Sequence, residues 1–144
     1  MLTEYKLFEC DLARPKVKAA NFHGKEAHLK FREREHQPAT LCTLLMTRNI
    51  DSSGVARCPL GNLPVMDPAT GATLIDSEGR RSYTTSIAFG PSTAMNIALA
   101  YLPHEYCQVG RELQIQYFAA VYPVKVEAVG YRSLYDAENV KPQS

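Results

Sequence analysis

The chain has 144 residues, 45% hydrophobic and 22% charged, with a formal net charge of +1. That length supports one domain with a real core, burying roughly 70% of its unfolded surface. The near-neutral charge gives no electrostatic case for nucleic acid or an anionic membrane as partner. No apolar run approaches the roughly 20 residues of a membrane-spanning helix.

Residues 1–20 carry Leu2, Tyr5, Leu7, Phe8 and Cys10 without a clear period. Pro15 disfavours helix at Arg14. This segment reads as the tail of a preceding domain or a linker, apolar but without a partner element of its own. It carries acidic residues, Glu4, Glu9 and Asp11, where a signal peptide is basic and then apolar, which points to a cytoplasmic protein. The four cysteines, Cys10, Cys42, Cys58 and Cys107, lie far apart with no C-x-x-C pair. That spacing suggests neither a zinc site nor a redox motif, but reduced and mostly buried thiols.

Residues 21–38 hold the one predicted helix. Asn21 is a candidate N-cap, with His23 and Gly24 as alternative openings. Glu26 places negative charge in the first turn. Ala27 and Phe31 share a face, and the charged run from Lys30 to Glu35 covers the rest as a solvated surface. Pro38 ends the helix.

Residues 39–144 read as strands and turns. Residues 40–47 form a short apolar run, a largely buried strand. Residues 48–61 are a polar loop. Residues 63–66 and 72–75 flank Asp67-Pro68-Ala69-Thr70-Gly71, where an early proline and a late glycine favour a hairpin. A second turn, residues 76–79, leads into the densest block, residues 80–101. That block holds two apolar segments, 83–89 and 96–101, joined at Gly90-Pro91-Ser92. Leu102-Pro103-His104-Glu105 ends the second segment. Residues 113–118 and 121–129 alternate apolar and polar side chains, as half-buried strands do. Residues 131–144 are a polar tail. About six short strands predict a mostly-β antiparallel barrel or sandwich preceded by one α-helix.

The residues alone name no reaction. Ser86 and Ser92 sit in no Gly-x-Ser-x-Gly pattern. His23 and His28 are five apart with no H-E-x-x-H, and His36 and His104 stand alone. Asp67, Asp76 and Glu78 fall in turns, where acidic residues serve the backbone. Gly90 is followed by a proline without an N–H, a poor phosphate cradle. No catalytic residue and no metal ligand is assigned.

Three ordered blocks carry a resemblance. Asn21-Phe22-His23-Gly24-Lys25-Glu26-Ala27 opens the helix. Tyr83-Thr84-Thr85-Ser86, Phe89-Gly90-Pro91-Ser92 and Ile97-Ala98-Leu99-Ala100-Tyr101-Leu102-Pro103 form the second block. Leu134-Tyr135-Asp136 is the third, with Ala137 where a proline is usual. Together they resemble the C-terminal part of the glycine cleavage T protein (aminomethyltransferase) family. The segment Arg80-Arg81-Ser82 and the long loop 48–61 look more like the T-protein-type domains of folate-dependent demethylases and of sarcosine or dimethylglycine dehydrogenases.

The resemblance implies a small Greek-key β-barrel of about six strands that closes over a folate-binding domain supplied in cis or in trans. In the parent enzyme tetrahydrofolate accepts a one-carbon unit from an amine; no cofactor is expected for this chain alone. Further partners implied are a lipoyl-carrier or flavoprotein. The family's catalytic domain precedes these blocks, so this chain is expected to be inactive by itself and no catalytic residue is carried over. Tyr83, Phe89, Ser92 and Tyr135 are the candidates for the cofactor-binding or interface side, the alternative being that they fill or cap the core. The competing function is a non-catalytic protein-docking β-barrel.

Overall fold

A computed structural model describes residues 5–12 and 17–130. They form one helix, α1 (Lys25–Arg32), a 3-10 turn (His104–Tyr106) and six strands. The strands are β1 (Ala39–Met46), β2 (Val65–Met66), β3 (Thr84–Gly90), β4 (Met95–Pro103), β5 (Glu112–Tyr117) and β6 (Ala120–Val129).

All pairs are antiparallel, in the order β2-β5-β6-β1-β4-β3. The sheet curls until its edges meet. Thr84 N–H donates to the Leu63 carbonyl at 2.8 Å, and Val65 N–H donates to the Ser82 carbonyl at 3.0 Å. The buried Thr84 hydroxyl adds an acceptor for Leu63 N–H at 2.9 Å. These bonds satisfy strand edges that would otherwise template aggregation. With the seam made, β2, β3 and β4 neighbour in turn and β1 lies beside β4, which is a Greek key.

The core follows from the two-residue period of strands. Cys42, Leu44 and Met46 of β1 point inward with Ala98, Ala100 and Leu102 of β4, Leu113 and Ile115 of β5, and Tyr122, Val124 and Val126 of β6. Large residues face small ones across β1 and β4: Leu44 pairs with Ala98, and Cys42 with Ala100. Such alternation lets the layers interdigitate at interior density.

The structure corrects the sequence reading in several places. The helix covers eight residues, and of the three candidate openings Gly24 takes the N-cap, at φ 84°. A left-handed backbone is open to glycine at little steric cost. The segment predicted to break at Leu102 stays in β4 through Pro103, because Ala39 and Thr40 of β1 continue to pair with it. The hairpin over residues 67–71 forms as predicted, with Asp67 N–H on the Ala72 carbonyl at 3.0 Å and Gly71 at φ 68°.

Residues 5–12 do have a partner. Leu41 N–H donates to the Glu9 carbonyl at 2.7 Å, so the segment is tied to β1. The barrel end where β1 starts therefore carries the N-terminal segment and α1. The opposite end carries residues 47–61 and the β3–β4 and β5–β6 turns.

Candidate functional site

The end of the barrel bearing the turns holds two of the residues singled out from sequence. Phe89 is 57% exposed near the tip of β3. Ser92 is exposed in the turn that follows. That turn is fixed by Thr93 N–H on the Gly90 carbonyl at 3.1 Å and by the Thr93 hydroxyl on the same oxygen at 3.0 Å. Tyr83 sits elsewhere, half-buried at the barrel seam beside Pro64. Six residues of strand separate it from Phe89, about 20 Å at the usual rise. Phe89 and Ser92 thus share one turn region and Tyr83 does not join them. Tyr135 lies outside the described residues.

Other side chains at this end were not visible as a group in the sequence. Met95 pairs across from Gly90, and Phe118 at the β5–β6 turn is 83% exposed. Leu60 is 70% exposed in the long loop. The loop itself is ordered by Asp51. Its carboxylate accepts from Ser53 N–H at 2.9 Å, Ser53 hydroxyl at 2.6 Å, Val55 N–H at 2.9 Å and Arg57 Nε at 2.6 Å. The Ser53 hydroxyl, the Val55 amide and the Arg57 guanidinium hold the Asp51 carboxyl well below the usual carboxylate range. Asn96, buried beneath the loop, holds Cys58 Sγ at 3.8 Å and Met46 Sδ at 3.7 Å. The result is an ordered rim of polar loop and exposed apolar tips.

The opposite end contains the densest polar cluster. Arg80 Nε donates to Asp76 at 2.7 Å, and Arg80 also pairs with Glu9. The Glu9 and Asp76 side chains are 1% and 2% exposed. Burial opposes the Arg80 charge, yet the hydrogen bonds to Glu9 and Asp76 outweigh it and hold the guanidinium above its ordinary range. The same guanidinium lies 4.5 Å from the Tyr5 ring centroid. Asp76 was expected to serve only its turn. It does accept from Glu78 and Arg80 N–H, each at 2.9 Å, but it also anchors Arg80. The helix docks on the N-terminal segment through His28 against Phe8 at 4.8 Å, and the segment after it is tied here by Arg34 on Glu78 at 2.9 Å. Glu9, Asp76 and Glu78 each have an arginine partner, and the cluster fastens the N-terminal segment to the turn before β3.

Two further pairings correct the sequence reading. The histidines expected to stand alone are stacked, His36 on His104, with centroids 3.9 Å apart. Of the four cysteines only Cys42 is buried; Cys58 is exposed, and Cys10 and Cys107 are intermediate. Cys42 and Cys107 are brought together, their sulfurs 3.8 Å apart. Among the described residues no group of three His, Cys, Asp or Glu side chains is placed to hold a metal ion.

A folate would need stacking surface, donors for its pterin and a cation for its glutamate in one cleft. The groove between loop and β5–β6 turn offers Arg48, Asp51 and Ser52 against Ala119, Ala120 and Val121, and it is open and shallow. It contains no buried polar side-chain atom awaiting a partner; the one such atom among the described residues, Gln37 Oε1, lies near the helix. These residues do not form a folate site by themselves.

Comparison with known proteins agrees with the barrel. Residues 62–132 match the family described as glycine cleavage T-protein C-terminal barrel domain. The match starts after β1, although β1 is the central strand of the barrel. No curated protein matches the chain. Among solved structures, the chain is similar to the crystal structure of glycine cleavage system aminomethyltransferase T from Bartonella henselae, at 20% identity and a TM-score of 0.52. The similarity covers 74% of this chain and 25% of that one, so the chain spans about a quarter of that protein's length. The β-barrel fold and the matched segment agree: the chain carries, over residues 62–132, the C-terminal barrel domain of the glycine cleavage T-protein family.

Proposed function

We propose that this barrel is the covering domain of a tetrahydrofolate-dependent aminomethyltransferase or demethylase and is inactive alone. The family match over residues 62–132 carries the reading. The cofactor is proposed to be held by another domain, in cis or in trans. A one-carbon unit on an amine is readily lost to water, and a rigid cover over the reacting atoms excludes that water. The rim with Phe89 and Ser92 is the candidate covering face, because its exposed apolar tips sit on ordered turns. Tyr83 and Tyr135 remain candidates for contacts to the same partner. A lipoyl-carrier or flavoprotein is the further partner proposed. The cytoplasm, where free thiols persist, is the compartment proposed.

The test joins this chain to a folate-binding domain of the family and measures release of formaldehyde during turnover. Slower release than from the folate-binding domain alone supports the cover. Equal release removes it.

The exposed Phe118, Leu60 and Phe89 side chains favour a second reading, a protein-docking barrel without a role in transfer. Sedimentation separates the two: that reading requires a complex with a carrier or flavoprotein that forms without folate.

A further inference from the structure

We infer that Cys42 and Cys107 form a dithiol that a peroxide oxidises to an intramolecular disulfide, a modification site separate from the covering role. Cys42 lies on β1 and is fully buried, while Cys107 follows the 3-10 turn and is partly exposed. Their sulfurs are 3.8 Å apart although 65 positions separate them in sequence. An approach of about 1.8 Å brings that separation to disulfide length.

The other thiols are differently placed. Cys10 is engaged with the Tyr101 hydroxyl at 2.8 Å, and Cys58 contacts Asn96. Only Cys107 combines access to solvent with a second thiol in contact, the arrangement of an attacking cysteine beside a resolving one. The asymmetry has an electrostatic counterpart. The Cys42 thiol, hydrogen-bonded to Cys107, lowers the pKa of Cys107, and Cys42 is itself raised by that bond and by burial. Cys107 is therefore the more readily deprotonated of the two, and Cys42 holds its proton more tightly.

The steps balance. The Cys107 thiolate attacks hydrogen peroxide; an S–O bond forms, the O–O bond breaks, and the departing hydroxide takes a proton from solvent to become water. The Cys42 sulfur then attacks the Cys107 sulfenic sulfur. The S–S bond forms, the S–O bond breaks, and the leaving hydroxide takes the Cys42 proton as a second water. Both sulfurs are oxidised and both peroxide oxygens are reduced. The product links β1 to the segment after β4 at the barrel end opposite the exposed rim.

The experiment exposes the folded full chain to hydrogen peroxide, blocks remaining thiols, and maps unreduced peptides by mass spectrometry. The expected result is one linked peptide joining Cys42 to Cys107, the loss of two of the four thiols, and full recovery with dithiothreitol. Cys107→Ser, at a partly exposed position, should abolish the link, and Cys58→Ser should leave it intact. Oxidation of Cys107 to sulfinic acid with Cys42 still free would overturn the inference. So would a first reaction at Cys58 or Cys10.

Discussion

Tyr5 lies flat on Tyr101, with ring centroids 3.7 Å apart and planes 5° from parallel. The Tyr101 hydroxyl also meets Cys10 Sγ at 2.8 Å. One residue of β4 therefore holds two residues of the N-terminal segment. Replacing Tyr5 by Ala removes the stacked ring and should cost about 2 kcal/mol in chemical denaturation.

The same contact has a pH consequence. Burial, the Cys10 hydrogen bond and the nearby Glu9 charge push the Tyr101 phenol above the usual tyrosine range. Its pKa is higher folded than unfolded, so its contribution to stability is intact below about pH 10 and declines as pH rises toward the folded value. Ultraviolet titration should show one tyrosine ionising later than the others, and Tyr101→Phe should remove that late step.

Arg80 meets three side chains: Glu9 and the Tyr5 ring of the N-terminal segment, and Asp76 of the adjoining turn. Arg80→Ala leaves two buried carboxylates without their cation and should destabilise the fold by about 3–5 kcal/mol. Arg81→Ala, at the exposed neighbouring position, should change stability by no more than about 0.5 kcal/mol. Thermal unfolding of both variants checks the contrast; equal effects would mean the ion cluster has no special weight.

Gly130 ends β6 at φ 79°, and a Cβ there would stand 2.7 Å from Asp11 Oδ2. Gly130→Ala combines left-handed strain with that clash, for a loss of about 1–3 kcal/mol. The segment 5–12 should loosen first, because Asp11 belongs to it. Limited proteolysis should therefore cleave the variant near residue 12 before the barrel strands.

Much of the barrel was legible because its physics is local. Leu113 and Ile115 alternate with Gln114 and Gln116, and the pattern fixes which face of β5 is buried. Pro68 and Gly71 mark the first hairpin by their backbone preferences alone. The helix was overextended because its charged residues fit a helix face equally well beyond Arg32, while Gly24 determined the start through a φ that composition does not reveal. Long-range pairings left no local trace. Arg80 meets Glu9 across 71 positions, and Cys10 meets Tyr101 across 91. The segment 5–12 thus looked unpartnered. The candidate rim was half legible: Phe89 and Ser92 share a turn that Gly90 and Pro91 announce, whereas Phe118 reaches that end only through the sheet order.

A barrel that covers a folate held by another domain, as proposed, has little affinity for folate by itself. Calorimetric titration of the isolated chain with tetrahydrofolate tests this most directly. The covering role predicts no binding, or binding no tighter than millimolar. Stoichiometric binding at micromolar concentration would contradict it.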